Sequence, residues 1–189
     1  MAGAPSGELA SLIGTVQALA STALTRFGPL SAAQLNWQPT PERWSVAQCL
    51  DHLVTTNATY FPDFDAVLAG RYTPTLWQRM PWIPGFFGRL VLKAVHPDSA
   101  KAYKAPAVFR PAASAVDPTI VTRFVDQQAR LIDAMTRSAG LDLDCIVITS
   151  AVSDLVVYSL FDAFRIVVAH EERHVNQAIR VAETDGFPR

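Results

Sequence analysis

Apolar residues recur at helical spacing in four stretches of the chain, and turn-forming residues separate them. Leu9, Leu12, Ile13, Val16 and Leu19 share one face of a first predicted helix. Ser6 suits its N-cap, Glu8 sits in the first turn where the helix dipole favours an acid, and Gly28-Pro29 stops it. A short helical turn is expected after Ser31, before the extended Trp37-Gln38-Pro39-Thr40-Pro41 segment. The second helix has the sharpest start. In Ser45-Val46-Ala47-Gln48 the serine reaches the third helical N–H and the glutamine reaches back, with Trp44 and Cys49 placed as a hydrophobic staple. Val46, Leu50, Leu53, Tyr60, Phe64 and Leu68 carry its stripe to Gly70, with Pro62 expected to kink it.

Asp117-Pro118 opens a third helix with a cap and a proline at the first position, and Ile120, Phe124, Leu131, Ile132 and Met135 form its buried side up to Gly140. Leu141 to Tyr158 reads as a connection, extended over Ile146-Val147-Ile148-Thr149. Ser159-Leu160-Phe161-Asp162 then starts a fourth helix. Residues 71–117 hold six of the thirteen prolines together with Trp77, Trp82, Phe86 and Phe87, with one or two helical turns expected around Phe86 to Ala94. Such a stretch reads as a lid or interface element, or as an insertion packed over one end of the core. Four long amphipathic helices without alternating strands predict an all-α, single-domain helical bundle over residues 1–189.

Composition narrows the function classes. Half the residues are hydrophobic and 17% charged, which suits one globular domain. The net charge of −1 and the lack of a basic run disfavour nucleic acid. Cys49 and Cys145 stand far apart among apolar neighbours and read as buried free thiols. Met1-Ala2-Gly3-Ala4-Pro5 lacks the basic start of a secretory signal, and Asp154, Asp162 and Arg165 interrupt the longest apolar run. A cytoplasmic protein without membrane attachment is expected. The stretch Trp82 to Lys93 has only two basic residues, too few to argue for a lipid surface.

The candidate chemistry lies in His170-Glu171-Glu172-Arg173-His174. Residues four apart on a helix project from one face, so His170 and His174 can share a metal ion, and Gln177 extends their stripe. The segment fits the H-E-x-x-H pattern of zinc proteases. Such a protease needs a further ligand downstream, yet Gln177 and Arg180 occupy the positions of the extended motif, and Glu183 reads as a solvated residue. The third ligand is better sought on another helix, where His52 lies about two turns into the second. Three neutral imidazoles would leave a position for water or substrate. His96, beside Pro97, is expected to face solvent.

Trp44-Ser45-Val46-Ala47-Gln48-Cys49-Leu50-Asp51-His52-Leu53, followed by His170-x-x-Arg173-His174-x-x-Gln177, resembles the DinB-like superfamily of bacterial damage-inducible proteins. Leu35-Asn36-Trp37-Gln38-Pro39 and the Lys104-Ala105-Pro106 to Pro111 stretch are also similar to members of it. The resemblance implies a four-helix bundle of up-down-down-up connectivity, a homodimer, and a divalent metal ligated by His52, His170 and His174. Arg173 and Gln177 are motif positions that orient or pack. Where such families often carry an acid ahead of the first histidine, this chain has Gln48. Three histidines suit zinc, nickel, cobalt or iron, with manganese a further option. The resemblance further implies a transferase using a low-molecular-weight thiol, or a hydrolase; from its composition, the Trp-rich 71–117 stretch is expected to roof a pocket for a small apolar substrate. Glu171 is the candidate general base of the hydrolase, or a solvated or paired residue. The alternatives are a non-catalytic metal-binding bundle and a protein-interaction bundle.

Overall fold

The computed structural model describes residues 6–80, 82–97, 115–150 and 152–189, and helix dominates among them. Helix α1 spans Ser6–Thr22 and widens into a π-helical turn, Ala23–Phe27, that ends at Gly28. Of its expected face, Leu9, Val16 and Leu19 are buried, while Leu12 and Ile13 pack partly buried against the core. Ser31 caps α2, Ala32–Asn36, through a capping box with Gln34. Ser45 does the same for α3, Val46–Ala58: its Oγ accepts from the Gln48 amide at 3.1 Å, and the Gln48 side chain accepts from the Ser45 amide at 3.0 Å. The two donors satisfied here would otherwise be orphaned at the helix start.

Pro62 does more than kink the second helix. With no N–H, and with a ring that would strike the carbonyl four residues back, it forces a restart. The stripe therefore continues as a separate α4, Phe61–Leu68, with the proline in its first turn, and closes at Gly70 with φ of 63°. Within 71–117, helix α5 spans Ile83–Val95, longer than the one or two turns expected. Pro84 sits in its first turn, where it is tolerated, and Gly88 serves close packing on the last helix. A Cβ at Gly88 would overlap Asp162 Oδ2 and come within 3.2 Å of Asp162 Cβ, and Asp162 is held by Arg165 at 3.3 Å. Gly88→Ala should therefore destabilise the fold by about 1–3 kcal/mol. Urea unfolding reads the difference, and an unchanged midpoint would refute this close-packing role.

Helix α6 runs Ile120–Ser138. Its N-cap is Thr119, two residues after the expected one, because Asp117 Oδ1 takes the Thr119 amide at 2.8 Å and forms a turn ahead of the helix. Gly140 follows it as expected. Over 141–158 the extended expectation holds at Val147–Ser150, and a second strand adds a small hairpin to the mostly helical fold. Strands β1, Val147–Ser150, and β2, Ser153–Ser159, form an antiparallel hairpin with Ile148 opposite Tyr158. The β-branched residues of both arms suit a pleated, half-buried surface. Ser159 closes the hairpin and caps α7, Leu160–Ala182, by accepting from the Asp162 amide at 3.0 Å.

Helix α3 packs on α6 and α7, α1 packs on α6 and α7, and α5 lies outside along α7 and β2. The core divides into two clusters along these helices. One gathers Phe64, Leu131, Tyr158 and Phe164 by the hairpin, and the other Phe27, Leu50, Phe124 and Val175 towards the end of α7. No described helix is long and apolar enough to cross a membrane. The Lys104 to Pro111 stretch lies outside the described residues.

Candidate metal centre

The capping box fixes where α3 begins, and so sets the height of His52, which is buried. Across from it on α7, His170 and His174 project one turn apart and keep part of their surface exposed. His52 Nε2 and His170 Nε2 are 3.1 Å apart, and one ring nitrogen from each of the three histidines falls within 4.8 Å of the others. Nitrogens bound to one tetrahedral zinc at ordinary bond lengths lie about 3.3 Å apart. Two of the three are thus already at ligand spacing, and a small ring adjustment brings in the third.

Protonation also suits a metal. Burial, then the neighbouring His174, His52 and Arg173, hold His170 well below the usual imidazole range. Burial and His52 lower His174 to about 3, against a smaller opposing pull from Gln177. Both rings are therefore neutral at physiological pH, with lone pairs available for coordination. Gln177 Oε1 lies 3.0 Å from His174 Nδ1. In the tautomer whose Nδ1–H donates to Gln177, the Nε2 lone pair of His174 is free for a metal. Trp44 does more than begin α3: its ring stacks on His174 with centroids 5.5 Å apart and tilts over His52 at 5.0 Å. The indole walls one side of the cluster. Three nitrogen donors leave a divalent ion an open coordination position. The donor set fits such an ion.

The other expected residues fall as follows. Arg173 donates to the His96 carbonyl at 3.1 Å, tying α7 to the end of α5, while His96 itself is exposed as expected. Glu183 pairs with Arg26 at 2.5 Å on the surface. Cys49 is buried, its thiol pushed up to about 12 by desolvation; Cys145 corrects the expectation of burial, being exposed and raised by its hydrogen bond to Asp142. Neither thiol is ionised at neutral pH.

Glu171 is neither solvated nor paired with an arginine. It is fully buried, and its Oε1 accepts from Asn57 Nδ2 at 2.7 Å and Gln128 Nε2 at 2.9 Å. Burial pushes this carboxyl up to about 8, although the two amide donors pull it back. Sequence reading missed Asn57 and Gln128. A signal existed for the second, since Gln128 stands four past Phe124 and three before Leu131, inside the apolar stripe.

Comparison with known proteins gives one relation. No curated protein and no solved structure matches the chain. The sequence profile of the DinB superfamily matches residues 16–178, which takes in all three histidines, the Ser45 cap, the end of α1 and most of α7. By that match over most of its length, the chain belongs to the DinB superfamily.

Proposed function

We propose that the protein is a divalent-metal enzyme, a transferase using a low-molecular-weight thiol or a hydrolase, acting on a small apolar substrate. In this reading α1, α3, α6 and α7 are a DinB-like four-helix bundle of up-down-down-up connectivity, and α5 with its preceding turn is the insertion between the second and third bundle helices. One observation carries the proposal: three imidazoles from two helices converge within 4.8 Å. A bound ion, zinc or nickel foremost and otherwise iron, cobalt or manganese, supplies Lewis acidity that lowers the pKa of a thiol or water in its open position. His52, His170 and His174 hold the ion, Gln177 orients His174, and Trp44 excludes water from one side. Glu171, fully buried and held by the Asn57 and Gln128 amides, positions α7 beside His170 and is not placed to serve as the general base of the hydrolytic branch.

The test incubates metal-loaded protein with a cysteine-based thiol and an activated aryl halide, and separately with an activated ester. Turnover in one assay, removed by a chelator and by His174→Ala, is the expected result. Loaded protein with no turnover in either assay would leave a non-catalytic metal-binding bundle.

A further inference from the structure

Of the ten large apolar side chains exposed among the described residues, eight come from 76–90 and 152–155. The fold brings these two stretches together. Trp77 Nε1 donates to the Leu155 carbonyl at 3.0 Å, and the buried Gln78 donates to Thr149 Oγ1 at 3.0 Å and to Tyr72 Oη at 2.7 Å, pinning the turn before α5 to the hairpin. The apolar exposure is thus built on a fixed support. Along α5, Trp82, Phe86 and Leu90 recur every four residues and form one outward stripe, while Ile83 and Gly88 are buried and Val91, Leu92 and Val95 pack partly buried against the core. Trp82 is 69% exposed and Leu155 70%. Apolar side chains exposed together in this way mark an interaction site.

Charge selects the partner. Residues 71–97 contain Arg71, Arg79, Arg89 and Lys93 and no Asp or Glu, and all four cations are exposed. Lys93 falls within the angular spread of the Trp82–Phe86–Leu90 stripe and Arg89 borders it next to Trp82, so both lie on its outward side. The hairpin tip contributes Asp154, and Arg79 shares a groove behind the helix with Asp144. A second copy docked face to face would bury these cations against their own equivalents, a costly arrangement without counter-charge. An anionic lipid surface has no such conflict. Trp and Phe enter the headgroup boundary while Arg and Lys extend their stems to reach phosphates.

We infer that the outer face of α5, with the turn before it and the hairpin tip, is a docking site for the surface of an anionic lipid bilayer. Docking uses residues remote in sequence from the histidines and stands independently of the metal reading. It reverses the expectation drawn from two basic residues in Trp82 to Lys93, because the fold adds the turn and the hairpin to that stretch.

The full-length protein is sedimented with phosphatidylcholine vesicles, with and without roughly one-third phosphatidylglycerol, at about 0.1 M salt. It should partition onto the anionic vesicles alone and come off as salt rises. Arg89→Glu/Lys93→Glu should weaken partitioning at least about tenfold, since each cation near such a surface contributes about fivefold. Phe86→Ser/Leu90→Ser should abolish it with helicity unchanged, as both side chains are exposed. Light scattering without lipid checks the rival occupant. No partitioning onto anionic vesicles, partitioning that survives Phe86→Ser/Leu90→Ser, or a dimer that this double variant dissociates would overturn the inference.

Discussion

Protein purified without an affinity tag and incubated with zinc or nickel should hold about one ion per chain, and the His170→Ala/His174→Ala variant should hold none. The expectation follows from preorganisation. Folding has already set His52 Nε2 and His170 Nε2 at 3.1 Å and has kept the His170 and His174 rings neutral, so binding requires neither a large rearrangement nor the loss of imidazole protons at neutral pH. Loss of two ligands leaves a single imidazole, so at least about a thousandfold in affinity should go. Gln177→Ala removes only the orienting acceptor and should cost about 10–100-fold. Two readouts are independent of activity. At free metal about a hundredfold above its dissociation constant, thermal unfolding should show about 2.7 kcal/mol of added stability, absent in the double variant. Trp44 stacks on His174, so paramagnetic nickel should quench its emission in the wild type and not in the variant. Wild-type protein that stays metal-free after both incubations would sink the metal centre and the enzyme reading with it.

The parts of this architecture that were legible beforehand are those with local causes. Ser31, Ser45 and Ser159 each announce a helix because a side-chain oxygen must satisfy amides two or three residues ahead, a requirement confined to one turn. The i, i+4 histidines share a face for the same kind of reason, and two separated motifs pointed to His52 as their partner. The hairpin was harder. Val147–Ser150 and Ser153–Ser159 are short, and their pairing depends on partners across a turn and on burial against α5 and α7. Helix α5 was underestimated since Pro84, Gly85 and Gly88 lower its intrinsic propensity; tertiary contact with Asp162 and the core overrides that preference. Cys145 was expected inside because its neighbours Leu143 and Ile146 are apolar, yet it follows Asp144 into the turn before β1 and faces out. Glu171 illustrates the limit. In the string His-Glu-Glu-Arg-His nothing separates it from Glu172, and only the positions of α3 and α6 put one carboxyl in the core and leave the other at the surface.

Glu171→Ala should destabilise the metal-free protein by roughly 3–5 kcal/mol, a large share of the 5–15 kcal/mol typical of a domain. The carboxyl sits where the two hydrophobic clusters meet. Val168 belongs to one and Val175 to the other, as do Leu131 and Phe124 on either side of Gln128, and Tyr60 and Val54 on either side of Asn57. Truncation leaves Asn57 Nδ2 and Gln128 Nε2 buried without their acceptor, each at about 1–3 kcal/mol, and adds a cavity. Glu171→Leu fills the space but strands the same two amides, so it should remain close to alanine in cost. Glu171→Gln keeps the Oε1 acceptor and brings two N–H donors into a region where Asn57 Oδ1 and Gln128 Oε1 lack partners among the described residues. It should cost less than about 1 kcal/mol. Urea unfolding with chelator present reads all three, with unchanged slope as the check that the unfolded state is the same. An alanine variant within about 1 kcal/mol of wild type, or a leucine variant that recovers the loss, would show that Glu171 fills space and anchors nothing. The expected order, glutamine far above leucine and alanine, identifies a polar joint. It links α3, α6 and α7 one residue from His170 and five from His52, holding the two helices that carry the histidines in fixed register.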